Sequence, residues 1–214
     1  MLEGFLAMPI AEMKSDFWDE RYRQDRFLFS TQPNAFLLDQ VKEPPETGQN
    51  RALAVGDGEG RNGVWLAERG WQVTSLDYAA EGIAKTERLA ALRGVSLTTV
   101  CADASTWAFP EEQFDLIVLF YFHLPREAAI RAHAGCVRAL KPGGRLLLEG
   151  FRKQQMPLSS GGPKGEDWMY AADEIQSDFG VLEATVDRAV GRVLREGRLH
   201  GSAAVYQFAG RKAR

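Results

Sequence analysis

The chain has 214 residues, of which 45% are hydrophobic and 26% are charged, and its formal net charge is −3. These values are ordinary for a globular protein, and the length suffices for one domain with a sizeable core, with or without a small lid. A net negative charge provides no general basic field, which argues against nucleic acid as a partner. The two cysteines, Cys101 and Cys136, occur in no metal-binding spacing, so we expect reduced thiols of a cytoplasmic protein.

The N-terminal residues 1–13 predict a loose leader. Their apolar run, Phe5–Ile10, is too short to span a membrane and lacks the basic residues of a signal peptide. We therefore expect a soluble, cytoplasmic protein without a membrane partner.

A helical lid is predicted after this leader. Trp18 and Tyr22 are four residues apart and so share one face of a short helix. A second short helix follows, and the segment Lys42–Asn50, with two prolines and a glycine, predicts a linker. We therefore divide the chain into a leader and helical lid, residues 1–46, and a main domain, residues 47–214.

Apolar segments of strand type alternate with helical segments in the main domain. The predicted strands before the C-terminal part are Ala52–Val55, Gln72–Leu76, Leu97–Cys101, Leu116–Tyr121 and Arg145–Glu149. This alternation predicts a Rossmann-like, doubly wound α/β fold with a mostly parallel sheet. Two further strands, Val181–Leu194 and His200–Ala209, flank a glycine-containing turn and predict an antiparallel hairpin that brings the sheet to seven strands.

A glycine-rich turn within Arg51–Asn62 predicts a cofactor site. A short apolar strand stops at Gly56, Gly58 and Gly60, and a helical pattern follows, so backbone amides at a helix N-terminus face a ligand. The string Gly58-x-Gly60-x-x-Gly63 matches the dinucleotide fingerprint literally. Counted from the strand end, however, the first glycine is Gly56. This register suits a cofactor without pyrophosphate, whose amino-acid tail lies along the turn.

An ordered set of motifs resembles the class I S-adenosylmethionine-dependent methyltransferases over about residues 50–151. The set consists of Gly56-Asp57-Gly58-Glu59-Gly60, Asp77, Asp103, Phe114-Asp115 and Leu140-Lys141-Pro142-Gly143-Gly144. The resemblance implies S-adenosylmethionine as cofactor, S-adenosylhomocysteine as product, and cofactor contacts along the turn by Gly56, Asp57, Gly58 and Gly60. The C-terminal hairpin also suits that fold.

The resemblance further implies roles for residues at the strand ends. Asp77 would accept both ribose hydroxyls, Tyr78 would lie against the adenine, and Asp103 would accept the adenine amino group beside the Ala104 amide. Phe120 would cover the methionine side of the cofactor. Each residue also has an ordinary alternative, because a turn or capping Asp and a core aromatic occur at such positions in many proteins.

One position departs from the family pattern. Ala54 stands where the family often has an acid, two residues before Gly56. The methionine amino group of the cofactor then needs another acceptor, such as the Gly56 carbonyl, Asp57 or Glu59. The departure also keeps open a non-catalytic, cofactor-binding or regulatory protein with the same fold.

Within the class, four segments resemble the tellurite-resistance methyltransferase group. They are Phe17-Trp18-Asp19-Glu20-Arg21-Tyr22, the segment from Thr31 to Leu37, Glu149-Gly150-Phe151, and Gly161-Gly162-Pro163-Lys164. This second resemblance implies a small-molecule methyl acceptor, for example a chalcogen oxyanion or a thiol.

Candidate acceptor-site residues lie near the carboxyl ends of the strands, where open α/β sheets bind ligands. His123 is the candidate general base because its ordinary pKa is near neutrality. Arg152 and Lys164 are candidates for holding an anionic acceptor, and Trp18 and Tyr22 for closing over the site as a lid. A structural histidine, solvated surface charges and ordinary core aromatics are the alternatives.

Other functions fit the sequence less well. His133 and His200 have no partner at metal-ligand spacing, so no metal is expected. An NAD-dependent short-chain dehydrogenase would need Tyr-x-x-x-Lys, and no tyrosine here is followed by lysine at that spacing. Strand four ends in the segment from Phe120 to His123, which lacks the Asn/Asp-Pro-Pro-aromatic tetrad of nucleic-acid amino-methyltransferases.

Overall fold

A computed structural model describes residues 15–42 and 50–214. The predicted leader and most of the predicted linker lie outside these residues. The helices are Ser15–Tyr22 (α1), Ala35–Gln40 (α2), Arg61–Glu68 (α3), Ala80–Arg93 (α4), Arg126–Ala139 (α5) and Ala172–Phe179 (α6). The strands are Arg51–Val55 (β1), Gln72–Asp77 (β2), Thr98–Cys101 (β3), Phe114–Phe120 (β4), Leu140–Phe151 (β5), Glu183–Glu196 (β6) and Leu199–Arg211 (β7).

The strands form one seven-stranded sheet in the order β3-β2-β1-β4-β5-β7-β6. β1 to β5 pair in parallel, whereas β7 pairs antiparallel with both β5 and β6. The predicted Rossmann-like sheet with its closing hairpin is therefore confirmed. The strand order reverses between β1 and β4, so a crevice for a ligand opens at the carboxyl ends of these two strands.

Both faces of the sheet are covered, as the unbroken apolar run of β4 predicts. Ile117 and Leu119 pack in a core with residues of α5 and α6. Leu116, Val118 and Phe120 pack on the opposite face with residues of α2 and α3. The two-residue alternation of the strand thus divides one apolar segment between two cores.

β5 differs from its predicted bounds because it starts at Leu140. Leu140 pairs with Phe114 of β4, and the next pair is Arg145 with Leu116, so residues 141–144 form an insertion in the strand. Gly143 lies in this insertion with φ of 78°, a left-handed conformation. The predicted Lys-Pro-Gly-Gly turn is therefore present as a bulge within the pairing.

The lid helices pack directly on the main domain. α1 contacts α4, where Asp19 Oδ1 accepts a hydrogen bond from the Glu81 backbone N–H at 2.8 Å, and α2 contacts β5. Asn34 caps α2 by accepting from the backbone N–H groups of Phe36 and Leu37. Among the described helices, none has the length and apolar character that a membrane span requires.

A core substitution in β4 measures how strongly the two-layer packing stabilises the domain. Ile117 is fully buried, and Ile117→Ala is expected to lower the free energy of unfolding by about 2–5 kcal/mol, because it leaves a cavity. Urea unfolding followed by circular dichroism gives this value. The control, Leu92→Ala on α4, removes a 71% exposed side chain and should change stability by about 0.5 kcal/mol or less. Equal effects of the two changes would contradict the packing described.

Candidate functional site

The glycine turn joins β1 to α3 at the carboxyl edge of the sheet. Gly56, Gly58 and Gly60 have φ of 62°, 59° and 85°, which is the left-handed region that other L-residues rarely adopt. The backbone N–H groups of Gly56 and Asp57 both donate to the carbonyl oxygen of Leu76 at the end of β2. The turn is therefore bent by its glycines and fastened to the neighbouring strand.

Two aromatic side chains pack on this turn so closely that no Cβ fits beneath them. A Cβ on Gly56 would collide with the ring of Phe122, and one on Gly58 would lie 2.7 Å from the hydroxyl of Tyr22. A ligand lying along the turn would therefore contact the ring of Phe122, which follows β4, and Tyr22 from the lid.

Asp77 ends β2 directly beside the turn. Its Oδ2 accepts a hydrogen bond from the Gly58 N–H at 2.8 Å, and its Oδ1 accepts one from the Ala79 N–H at 2.9 Å. Burial raises the pKa of Asp77 to about 6, and the nearby carboxyl of Asp57 adds to this rise. Each oxygen keeps a second lone pair, so an ionised Asp77 can accept two further hydrogen bonds.

The ends of β2 and β3 are neighbours, because Asp77 pairs with Cys101. Asp103 lies just beyond β3 and is exposed. Its Oδ1 accepts from the Ser105 N–H at 2.7 Å, and its Oδ2 accepts no hydrogen bond within residues 15–42 and 50–214. Burial, then the carboxyls of Asp77 and Asp103, raise the pKa of Tyr78, so this phenol lies near both acids. Ala104 is buried beside them.

The side chain of Asp57 faces the interior of the turn. Its Oδ2 accepts from the Ser75 hydroxyl at 2.9 Å and from the Gly63 N–H at 3.2 Å. Burial raises the pKa of Asp57, and these hydrogen bonds oppose the rise. The carboxyl predicted to contact the cofactor thus joins α3 to β2, and the backbone of Asp57 forms part of the turn.

Phe120 does not lie at the turn. It packs in the core with α2 and α3, whereas Phe122 belongs to the opposite core and contacts Gly56. Two residues apart in a regular strand would share one face, but Tyr121 between them has φ of 54°. The left-handed conformation of Tyr121 changes the direction of the backbone. Phe122, and not Phe120, is therefore the aromatic residue that packs on the glycine turn.

His123 is held as a neutral, structural side chain. Its Nδ1 lies 2.9 Å from the Trp168 carbonyl oxygen, and its Nε2 lies 3.1 Å from the Phe151 backbone nitrogen. A carbonyl only accepts and an amide N–H only donates, so Nδ1 carries the proton and the Nε2 lone pair is already used. Burial lowers the pKa of His123 to about 4. In this arrangement neither ring nitrogen of His123 is free to take a proton from an acceptor.

The candidate acceptor-site residues occupy different surroundings. Trp18 and Tyr22 stack with ring centroids 5.4 Å apart and pack beside Ala79, next to the turn. Arg152 follows β5, and its Nε is buried without a hydrogen-bond partner in the described chain. Lys164 is exposed on the loop between β5 and α6. The lid aromatics therefore lie at the cofactor turn, and Arg152 lies beyond β5.

The sequence analysis missed a buried network around Glu149, near the end of β5. The carboxylate of this fully buried residue accepts hydrogen bonds from side chains of the lid, of the residue after β4, and of β6 and β7. The donors are Asn34 Nδ2 at 2.8 Å, the Tyr121 hydroxyl at 3.1 Å, Arg192 Nη1 at 2.5 Å and Gln207 Nε2 at 2.6 Å. An acid within the apolar run of β5 is the one sequence signal that could have revealed it.

Within the described residues, no group of three or more His, Cys, Asp or Glu side chains is arranged to hold a metal ion. A separate, partly buried acid–base cluster lies between α5 and α6. There Asp178 accepts from both Nη1 and Nη2 of Arg126 and lies 2.7 Å from His133 Nδ1. Its two partners lower the pKa of Asp178 to about 2, against the effect of burial.

Residues 52–144 match a protein-family model described as "Methyltransferase domain". A curated relative, the 2-heptyl-1-hydroxyquinolin-4(1H)-one methyltransferase of Mycobacteroides abscessus, is 29% identical over 62% of this chain. The match spans 59% of that relative, so it covers little more than half of its length.

Two solved structures share the fold. TehB from Haemophilus influenzae has a TM-score of 0.69 and 20% identity over 92% of this chain and 66% of its own. The 1,6-didemethyltoxoflavin-N1-methyltransferase of Burkholderia thailandensis, solved with S-adenosylhomocysteine bound, has a TM-score of 0.59 and 20% identity, covering 84% of this chain and 76% of its own.

The buried His123 predicts a pH dependence of stability. Its pKa is about 4 in the folded protein and about 6.5 in an unfolded chain, so the unfolded state binds more protons between these values. The contribution of neutral His123 to the free energy of unfolding is therefore present above about pH 6.5 and is lost as the pH falls toward 4.

Urea unfolding of the wild type and of His123→Phe at pH 7 and pH 5 tests this dependence. The variant has no imidazole to protonate, so the wild type should lose more stability than the variant between the two pH values. Equal losses would show that His123 is not held in its neutral form.

Proposed function

We propose that this protein transfers a methyl group from S-adenosylmethionine to a small-molecule acceptor, because residues 52–144 match a methyltransferase-domain model and the chain shares its fold with TehB. The observation that carries the proposal is the convergence of the glycine turn, Asp77, Tyr78 and Asp103 at the carboxyl edge of β1, β2 and β3. In this proposal the described part of the lid predicted at residues 1–46, residues 15–42, and the described part of the domain predicted at residues 47–214 form one site, and the protein acts in the cytoplasm on neither nucleic acid nor membranes.

The chemistry of these side chains fits S-adenosylmethionine. Asp77 has free lone pairs for two ribose hydroxyls, and Asp103 Oδ2 is an open acceptor for the adenine amino group. Tyr78, whose phenol has a pKa raised by burial and then by both acids, is the residue that we assign to the adenine ring. Asp57 is committed to the interior and Ala54 is a core residue, so backbone groups of the turn hold the amino-acid tail.

S-adenosylmethionine supplies the methyl group on a sulfonium, which leaves as a neutral thioether when a nucleophile attacks in line. The chain therefore aligns the acceptor and excludes water. His123 offers no free nitrogen to take a proton. This supports an acceptor that reacts as a ready nucleophile, such as a chalcogen oxyanion or a thiolate.

An anionic acceptor is supported by Arg152. Its guanidinium has no hydrogen bond or ion pair within the described residues, and its Nε is buried. Such a cation beyond β5 lacks a counter-charge, which an anion would provide. Arg152 is therefore the residue that we assign to acceptor binding.

A second candidate function is favoured by Ala54. This residue is buried in the core where the family often has an acid, so one polar contact to the cofactor is replaced by an apolar one. The corresponding candidate is a protein that binds the cofactor without turning it over. Turnover with a panel of acceptors separates the two.

Asp77 should control cofactor affinity. Asp77→Asn removes the charge that would accept two ribose hydroxyls, at a cost of about 3 kcal/mol or roughly 100-fold in Kd. Calorimetric titration with S-adenosylhomocysteine measures it, and Asp173→Asn on the exposed face of α6 is the control. The wild-type affinity should also fall as the pH decreases below about 6, where Asp77 becomes protonated. No binding by the wild type at millimolar ligand would overturn the proposed function.

Arg152 should determine acceptor use. With tellurite and selenite as anionic acceptors, Arg152→Gln is expected to raise KM about tenfold while kcat changes little, because an ion pair that aids binding is lost. A neutral dialkyl selenide, which is nucleophilic without losing a proton, serves as the matched acceptor, and its KM should be unaffected. Turnover is followed as S-adenosylhomocysteine release. If the wild type binds the cofactor and methylates none of a broad panel of small acceptors, the second candidate replaces the first.

A further inference from the structure

The segment Leu28–Phe29 runs between the glycine turn and the tip of the β6–β7 hairpin, and all four of its backbone polar groups are bonded to the main domain. The N–H groups of Leu28 and Phe29 donate to Glu59 Oε2 at 2.8 and 3.3 Å. The Leu28 carbonyl accepts from the Arg198 N–H, and the Phe29 carbonyl accepts from Arg61 Nη1 at 3.1 Å. The lid is therefore fastened through its backbone.

Glu59, which lies between Gly58 and Gly60 in the glycine turn, makes the largest number of these contacts. Its second oxygen, Oε1, accepts from Lys85 Nζ of α4 at 2.8 Å, and the same ammonium donates to the Arg26 carbonyl oxygen at 2.7 Å. Glu59 and Lys85 are only 4% and 6% exposed. Opening the lid would take the Leu28 and Phe29 N–H groups from Glu59 and the Arg26 carbonyl from Lys85, and would leave these two buried charges with fewer partners to compensate their desolvation.

The fastened segment supports the aromatic side chains that cover the turn. Phe29 packs on Trp18 with ring centroids 5.9 Å apart, and Trp18 stacks on Tyr22. The Tyr22 hydroxyl lies against Gly58, and its ring against Gly82 at the start of α4. A path of contacts therefore runs from Glu59 through the aromatic side chains of the lid. It ends at Gly58, the residue that precedes Glu59.

We infer that Glu59 is a positioning residue, which holds the N-terminal segment closed over the cofactor turn, so that cofactor exchange requires its contacts with Leu28 and Phe29 to break. The inference rests on the proposed function, because it takes S-adenosylmethionine and its product as the occupants of the turn. Glu59 thereby sets the residence time of a ligand bound at the glycine turn.

Stopped-flow measurement of S-adenosylhomocysteine dissociation from the full chain tests this role. Glu59→Gln should raise the dissociation rate at least tenfold, without a matching fall in the association rate, because the closed lid is weakened. Amide hydrogen exchange at Leu28 and Phe29 should become faster in the same variant. If Glu59→Gln leaves Lys85 uncompensated and does not fold, the charge-neutral double variant Glu59→Gln/Lys85→Gln is measured in its place.

The matched control is Asp115→Asn at the opposite end of the sheet. Asp115 also accepts a backbone N–H, from Arg51, and also binds a lysine, Lys141, at 2.8 Å. The Asp115→Asn variant should leave the dissociation rate of S-adenosylhomocysteine unchanged, even if it lowers the melting temperature of the protein.

Equal dissociation rates for Glu59→Gln and Asp115→Asn, with the wild type binding normally, would overturn the role of Glu59 alone. A wild type that binds no S-adenosylhomocysteine would overturn the proposed function and this role together. Unchanged amide exchange at Leu28 and Phe29 in Glu59→Gln would overturn the fastening itself, whatever the ligand does.

Discussion

The carboxylate of Asp77 is the constraint on which the site depends. It binds the Gly58 N–H of the turn and the Ala79 N–H before α4, and so joins three elements at one point. The same two oxygens are the acceptors proposed for the cofactor. Burial raises the pKa of Asp77 to about 6, because the lid and the turn remove water from this carboxyl. The carboxylate of Asp77 therefore both stabilises the fold around the glycine turn and serves as the proposed ligand acceptor.

Buried charges connect the lid to the rest of the chain. Glu59 binds Lys85 and the lid backbone, and Glu149 binds Asn34 of the lid and Arg192 of the hairpin. Arg192 and Arg61 also share Glu196 near the hairpin tip. A buried ion pair adds little stability compared with apolar packing, yet it is costly to break. Such contacts suit a lid that must close in one arrangement.

The sequence predicted the fold well because its signals are local. Strand and helix alternate with clear periodicity, and the glycine turn, Asp77 and Asp103 are each recognisable from a few neighbouring residues. The side chains that the structure places differently from a simple strand pattern include Phe120 and His123, at and just beyond the end of β4. One left-handed residue, Tyr121, moves Phe122 rather than Phe120 to the turn. A periodicity rule does not detect a single dihedral angle of this kind.

The sequence by itself determined the seven-stranded α/β fold, since this follows from repeating patterns, and the cofactor followed from the resemblance of its motifs to those of S-adenosylmethionine-dependent methyltransferases. The tertiary structure decided what individual polar residues do. His123 became a structural residue because two backbone groups, at Phe151 and Trp168, use both of its nitrogens. Glu59 became a fastening for the lid because the chain brings Leu28 to it across 31 positions. Hydrogen-bond partners so distant in sequence are set only by the folded arrangement.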